Sequence, residues 1–231
     1  MSPSRYAIAY TPPPSSPLAG FGAEILGYDC FEGADVPHLR LGRLDPAILA
    51  LATRETRLHG FHAPLVAPFR LNGSHQEDLV AAVDQFAERA APILVGPLIV
   101  APLDHVVALV PLQTEPGLAA LAAACLKEFD RFCAPLSKAE REERTVNGLT
   151  ERQLQLLQRW GDPHVLEEFR FRMPLAGPLP ASEVALLAEL VAGAFSSLAH
   201  DYVELDAISL MRQDDVDERF YVLRRCRLSG R

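Results

Sequence analysis

The sequence has few of the features that mark specialised classes of protein. Its four cysteines are spread through 231 residues and form no C-x-x-C pair, which argues against a disulfide framework or a zinc site. No window reaches the roughly 18 apolar residues of a membrane helix. The N-terminus also lacks the basic and apolar regions of a signal peptide. The sequence therefore predicts a cytoplasmic protein with no membrane partner.

Positive charge is scarce as well. The formal net charge is −8, from 22 Lys and Arg residues against 30 Asp and Glu residues. Binding to a nucleic-acid backbone needs clustered Lys and Arg side chains, so nucleic acid is not expected as the main partner. The loops G-x-G-x-x-G and G-x-x-x-x-G-K-[ST] are absent, which disfavours a dinucleotide-binding or P-loop domain. No metal site or cofactor is predicted.

The order of the predicted elements indicates an α+β protein with two related lobes. "RYAIAYTP" predicts a strand, and residues 16–27 predict a short helix that glycine ends. A longer helix is expected to begin at Ser74, with Glu77 completing a capping box. Two apolar strands follow, joined by a tight turn near Asp104, and residues 167–177 predict a further strand. This order does not form a run of regular βαβ units.

Two segments of the chain share a rhythm, His62-Ala63-Pro64-Leu65 and Arg172-Met173-Pro174-Leu175. Each has a basic residue two places before a proline. Between them lies the charged helical stretch "SKAEREERTVNG", with a break at Asn147-Gly148 and Thr150 as the cap of the next helix. We therefore predict a single domain, 1–231, with lobes at about 1–135 and 165–231 and a helical linker at 136–164.

The segments "RYAIAYTPP", "HGFHAPLVAPFRL", "LTERQLQLLQRWG" and "RWGDPHVLEEFRFRMPLAG" together resemble a known family. It is the bacterial family labelled putative phosphonate metabolism proteins, within the 2H phosphoesterase superfamily, and the resemblance runs nearly end to end. It implies a LigT-like fold, in which two ferredoxin-like lobes with antiparallel sheets face a central cleft. In that superfamily each lobe contributes a histidine and a threonine or serine. The two histidines act as general base and general acid on a phosphodiester.

The sequence departs from this family pattern at three of the four motif positions. His62 keeps the first histidine, but Pro64 stands at the first threonine, Arg172 at the second histidine and Pro174 at the second threonine. Proline offers a phosphate oxygen neither a hydroxyl nor a backbone N–H. Arginine stays protonated and cannot act as a base. The resemblance therefore implies a degenerate active site in which the two-histidine mechanism is lost.

Five other side chains are candidates for ligand binding. Arg172 and Arg170 alternate with two phenylalanines, so they are predicted to share a positive cleft floor for a phosphate or carboxylate. A solvated strand face, or ion pairs with the preceding glutamates, is the alternative. Arg70 lies an even number of residues after His62, so on a regular strand the two side chains would point to the same face. Tyr6 and Tyr10 lie on a strand that is near the cleft in LigT-like proteins, although packing is the commoner use of tyrosine.

Two functions agree with this sequence. The first is a 2H phosphoesterase-like pseudoenzyme that binds a small anionic ligand, phosphorylated or not, or a protein partner in the cleft. The alternative is an active phosphoesterase or related enzyme, with phosphonate metabolism as the pathway that the resemblance suggests. It would use His62 as the sole acid/base and Arg172 to stabilise charge. The fold does not decide between them, and His62 is equally open to interpretation as a retained side chain without a role.

Overall fold

A computed structural model describes residues 3–145, 148–199 and 201–230 as helices and antiparallel strands. The helices are α1 (Pro17–Leu26), α2 (Pro46–Ala52), α3 (Arg54–His59), α4 (Gln76–Arg89), α5 (Pro116–Phe129), α6 (Lys138–Thr145), α7 (Glu151–Trp160) and α8 (Ala181–Phe195). The strands are β1 (Arg5–Tyr10), β2 (Tyr28–Asp29), β3 (Ala34–Asp35), β4 (Ala63–Arg70), β5 (Ile93–Gly96), β6 (Leu98–Leu103), β7 (Val106–Pro111), β8 (Met173–Ala176), β9 (Val203–Leu205), β10 (Ala207–Gln213) and β11 (Tyr221–Arg227). Short 3₁₀ turns cover Asp130–Phe132 and Leu166–Glu168.

The largest sheet has the order β11-β10-β1-β4, and its neighbouring strands are antiparallel. One face of β1 presents Tyr6, Ile8 and Tyr10 to the main hydrophobic core, against which α4 and α5 pack. The opposite face presents Ala7 and Ala9 to a smaller buried cluster. This alternation is the period-two pattern of a β-strand, which the sequence predicted at this place.

A second sheet has the order β6-β7-β8, with α8 packed against β6 and β7. Among the described residues, β4 and β8 are each the last strand of their sheet, and these two strands contact each other. The α+β class with antiparallel sheets is therefore confirmed. Both sheets take strands from either side of the predicted linker at 136–164, so strand pairing does not follow the sequential order of the predicted lobes.

The predicted start of α4 is wrong by one residue. The structure places His75 at the N-cap, where its backbone N–H donates to the carboxylate of Asp78 (3.3 Å). The hydroxyl of Ser74 donates instead to Asn72 (2.8 Å) and so does not cap the helix. Other predicted ends are confirmed, such as Ser16 before α1 and the turn at Asp104, where φ is 49°.

The strand predicted over residues 167–177 is shorter in the structure. Only Met173–Ala176 pairs with β7, because the preceding chain forms the 3₁₀ turn and then runs unpaired to Arg172. Thr150 caps α7 as predicted, while Asn147 of the predicted break lies outside the described residues. Within the described chain, none of the helices has the length and apolar character to cross a membrane.

Candidate functional site

The prolines of the two motifs occupy matching places in their sheets. Pro64 lies opposite Ala9 of β1, and Pro174 lies opposite Ala108 of β7. Both alanines are fully buried, whereas both prolines are partly exposed. Outer strands tolerate proline because they have fewer ladder hydrogen bonds to lose. The contact between β4 and β8 brings the two motifs to the junction of the sheets.

His62 is buried directly before β4, and only 8% of the residue is exposed. Its Nδ1 lies 3.0 Å from the carbonyl oxygen of Gly60, which places the proton of the neutral ring on Nδ1 and leaves Nε2 as an acceptor. Burial, followed by the charge of His59, lowers the pKa of His62 to about 4. The imidazole is therefore neutral at pH 7 and is a weak base.

Two hydroxyl groups that the sequence did not single out lie on the sheet face of His62. Thr11 follows β1 on the same face as Ala9, and Ser209 pairs with Ala9 from β10. The Thr11 and Ser209 oxygens are 2.6 Å apart, and both residues are fully buried. The hydrogen bond of this pair joins the end of β1 to β10 beside His62. Because both residues are fully buried, neither hydroxyl is accessible to a ligand. The signals in the sequence were a polar residue directly after one apolar strand, Thr11, and a polar residue within another, Ser209.

An aromatic cover packs over this face of the sheet. The hydroxyl of Tyr28 donates to the carbonyl of Phe220 (2.9 Å), and the N–H of Phe220 donates to Leu58 O (2.8 Å). Cys30 packs in the same cluster, with its Sγ 4.0 Å from Phe61 O. The cover is thus tied by hydrogen bonds to the segment that leads into His62.

The second motif contributes two arginines, Arg172 and Arg170. Arg172 is partly exposed, and within the described part of the chain its guanidinium has no hydrogen-bond or ion-pair partner. Arg170 is exposed and donates to the backbone oxygens of Glu167 (2.9 Å) and Phe169 (2.7 Å). Of the two, Arg172 is the side chain that is available to an anion.

The other predicted site residues are engaged elsewhere. Arg70 forms an ion pair with Glu140 (2.8 Å) and donates to Pro135 O (2.8 Å). The hydroxyl of Tyr6 donates to the side chain of Gln76 (3.1 Å). Tyr10 is 1% exposed and its ring packs 6.3 Å from that of Phe171, next to the second motif. Each of the three side chains thus has a structural contact: an ion pair for Arg70, a hydrogen bond for Tyr6 and ring packing for Tyr10. Their roles in ligand binding stay predictions.

Two cavities of the structure lie away from the motif residues His62 and Arg172. An open groove of about 570 Å³ lies between α1 and residues 36–40, and a cavity of about 40 Å³ lies behind Phe61. Neither is lined by His62 or Arg172. Over the described ranges, no three His, Cys, Asp or Glu side chains converge in a way that could hold a metal ion.

The chain is similar to curated proteins and to solved structures. It is 31% identical over 234 residues to ribose 1,5-bisphosphate phosphokinase PhnN of Janthinobacterium sp. (strain Marseille), covering 99% of this chain and 52% of that protein. It is also 31% identical over 227 residues to the protein of the same name from Laribacter hongkongensis (strain HLHK9), covering 97% and 51%. The chain thus spans about half the length of the curated relatives it matches.

Among solved structures, the chain is similar to E. coli LigT in complex with 3′-AMP. The TM-score is 0.43 at 13% identity, covering 99% of this chain and 100% of LigT. In addition, a family model matches residues 64–221, which is more than half of the chain and includes Arg172 and both motif prolines. The chain therefore belongs to the family described as protein of unknown function (DUF1045).

Proposed function

We propose that this chain is a degenerate 2H phosphoesterase-like protein that binds a small phosphorylated ligand where β4 and β8 meet. The observation that carries the proposal is Arg172, a half-buried guanidinium beside Pro174 with no partner within the described chain. Guanidinium groups bind phosphate oxygens through paired, charge-assisted hydrogen bonds. An arginine in the place of a catalytic histidine favours retention of an anion over its chemical conversion.

The state of His62 supports the loss of hydrolysis. A general base works best when its pKa lies near the working pH, and the pKa of His62 is lowered to about 4 by burial first. Pro64 and Pro174 have no hydroxyl that could hold the phosphate. The alternative of a single-histidine enzyme therefore requires that ligand binding both expose His62 and raise its pKa.

The names of the curated relatives suggest which ligand to test first. Those proteins are named ribose 1,5-bisphosphate phosphokinases, and about half of their length matches this chain. This chain has no P-loop to hold a nucleoside triphosphate. We infer that the kinase activity belongs to the half that this chain does not match. The matching half would then bind a pentose phosphate.

Calorimetric titration with ribose 5-phosphate tests the proposal, with ribose and inorganic phosphate as partial ligands. We expect the wild-type chain to bind ribose 5-phosphate and not ribose. Arg172→Gln should weaken binding about 10-fold or more, because a charge-assisted hydrogen bond contributes roughly 1.5–3 kcal/mol. Arg170→Gln, two residues earlier in the same segment, is the matched control, and it should bind like the wild type.

Two results would overturn the proposal. One is equal binding by the Arg172→Gln and Arg170→Gln variants, which would place the anion elsewhere. The other is an absence of binding by any phosphate ester while a protein partner binds the same junction. His62-dependent turnover of a phosphodiester would instead establish the enzyme alternative.

A further inference from the structure

The C-terminal end of α1 is held by groups that the proposed ligand site does not use. The last carbonyl groups of a helix have no partner within the helix and must be satisfied from outside. The N–H of Leu39 donates to Glu24 O (2.8 Å), and the N–H of Val36 donates to Gly27 O (3.3 Å). Both donors belong to residues 36–44, which connect β3 to α2 and which we call the strap.

One side chain of the strap, His38, and one of α3, Arg57, bind further carbonyl oxygens of α1. Nδ1 of His38 lies 3.0 Å from Ile25 O, and Nε of Arg57 donates to Leu26 O (2.7 Å). His38 and Arg57 also meet, with 2.6 Å between Nε2 and Nη2. A guanidinium can only donate, so Nε2 of His38 must be the acceptor. This contact therefore requires a neutral imidazole with its proton on Nδ1.

The backbone of α1 is shaped to receive the ring of His38. Gly27 ends the helix in the left-handed region, with φ of 69°. A Cβ atom at Gly27 would lie only 2.5 Å from Nε2 of His38. Glycine is therefore required at this position both for the turn and for the close approach of the ring.

Arg57 is the charge that directly opposes protonation of His38. Burial is the first cause that lowers the pKa of His38, and Arg57 lowers it further, against a raising effect of the hydrogen bond to Ile25. Other charged groups on the surrounding elements include Glu24 of α1, Asp29, Asp35, Arg40 and Arg43 of the segment from β2 through the strap, and Arg54 and Glu55 of α3, which pair with each other. Glu24, Asp29 and Arg40 line the open groove beside the ring, and Asp35 pairs with Arg219.

We propose that His38 is a pH-sensitive latch that joins the strap, α1 and α3. In its protonated form both ring nitrogens are donors, so Nε2–H would face the guanidinium of Arg57 without an acceptor. Two positive groups in such close contact repel each other. Protonation therefore breaks the contact between His38 and Arg57 and weakens the attachment of the strap, which the backbone bonds of Leu39 and Val36 still hold to α1.

The latch lies close to contacts that hold both motif strands, namely β8 and the segment that leads into β4. Thr56, next to Arg57 in α3, donates its hydroxyl to Leu175 O of β8 (3.2 Å). The same helix ends three residues before His62. Phe61 packs so tightly on α1 that a Cβ atom at Gly22 would overlap its ring. Opening of the latch loosens these contacts, a consequence that does not depend on which ligand the junction binds.

The direction of the pH dependence follows from the lowered pKa. The unfolded chain takes up this proton near pH 6.5, whereas the folded chain resists it. The stabilisation by neutral His38 is thus fully present above about pH 6.5 and is lost as the pH falls through the folded-state pKa.

Thermal unfolding of the full chain at pH 7.5 and pH 5.5 tests the latch. His38→Gln keeps a donor for Ile25 and an acceptor for Arg57 but does not titrate. The exposed His164→Gln is the matched control. We expect Tm to fall by about 2–4 °C more between the two pH values in wild type and His164→Gln than in His38→Gln. A parallel fall in all three proteins would overturn the proposal.

A direct titration of the wild-type protein covers the case in which His38→Gln does not fold. The ring signals of His38 in NMR spectra should titrate below pH 6.5, and amide exchange at Val36 and Leu39 should accelerate over the same range. A titration of His38 at or above 6.5, or strap amides whose exchange follows only the intrinsic pH dependence, would contradict the latch.

Discussion

Pro64 and Pro174 occupy matching places in two different sheets, each opposite a fully buried alanine of the neighbouring strand. These alanines are Ala9 in β1 and Ala108 in β7. Under the proposed degeneracy, the same substitution has occurred in both motifs in the same local setting. Proline removes a donor and fixes φ, and the register of both strand pairs shifts directly beside the proline.

If the backbone around both motifs keeps the geometry of an active 2H phosphoesterase, restoring the motif side chains should restore phosphodiester hydrolysis. We expect the triple variant Pro64→Thr, Arg172→His, Pro174→Thr to hydrolyse 2′,3′-cyclic nucleotides at least about 10²-fold faster than the wild type, since general acid–base catalysis contributes 10²–10⁴-fold. Initial rates measured by chromatography of the products provide the test. Adding His62→Ala to the triple variant should remove the gain. A folded triple variant with no gain would argue against the matched-site interpretation.

The buried ring of His62 should resist protonation. Its folded-state pKa is lowered to about 4, so its contribution to stability is present above about pH 6.5 and is lost as the pH falls toward 4. This loss is on the order of 3 kcal/mol at full burial. Urea unfolding at pH 7 and pH 4.5 should therefore show a smaller acid-induced loss for His62→Gln than for the wild type. An NMR titration of His62 near pH 6.5 in the folded protein would refute the prediction.

The Thr11–Ser209 pair should behave as a coupled unit. Ser209→Ala leaves the Thr11 hydroxyl buried without its partner, which should lower the free energy of unfolding by about 1–3 kcal/mol. Adding Thr11→Val removes the stranded hydroxyl, so the double variant should lose less than the sum of the two single losses. The exposed Ser182→Ala is the control and should change stability by less than about 0.5 kcal/mol. Strict additivity in chemical denaturation would contradict a shared hydrogen bond.

Arg70 should contribute to stability through Glu140 and not to ligand binding. The hydrogen bond from Arg70 is the first cause that lowers the pKa of Glu140 to about 2. The pair is about a quarter exposed, at 26% and 22%, so solvent screening limits its contribution at pH 7 to about 1 kcal/mol. This contribution is present above about pH 4.5 and is lost as the pH falls toward 2.

Unfolding of Glu140→Gln at pH 7 and at pH 2.5 measures the contribution of this pair. The variant should be less stable than the wild type at pH 7, and the difference should shrink at pH 2.5. The affinity for ribose 5-phosphate should not change in either Glu140→Gln or Arg70→Gln. Weaker ligand binding by Arg70→Gln, with unchanged stability, would restore Arg70 to the ligand site.

The sequence predicted best the features that depend on local chemistry. The glycine after α1, the cap at Thr150 and the turn at Asp104 each follow from the preferences of a few neighbouring residues. The start of α4 was missed because Ser74 and His75 both precede the helix, and the competing hydrogen bond of Ser74 to Asn72 depends on the tertiary turn. Alternation of polar and apolar residues also predicted a strand that begins too early. The residues before Met173 alternate, but they have no neighbouring strand with which to pair.

The candidate site could be predicted only in part. The motif positions came from the resemblance, whereas the partners of each side chain depend on distant segments. Glu140, which forms the ion pair with Arg70, lies 70 residues away along the chain, and Ser209 lies 198 residues from Thr11. No local pattern connects such pairs, so the sequence alone could not separate the engaged Arg70 from Arg172.

The most direct test of the proposed loss of phosphodiester hydrolysis is to follow the ³¹P signal of a phosphodiester in the presence of the protein. The wild-type chain is incubated with 2′,3′-cyclic AMP, and with a ribose cyclic phosphate, while ³¹P NMR separates cyclic diester from monoester. The account predicts that the diester signal persists unchanged at stoichiometric protein, while ribose 5-phosphate added to the same sample shifts and broadens on binding. Conversion of the diester to a monoester by the wild type, and not by His62→Ala, would contradict it.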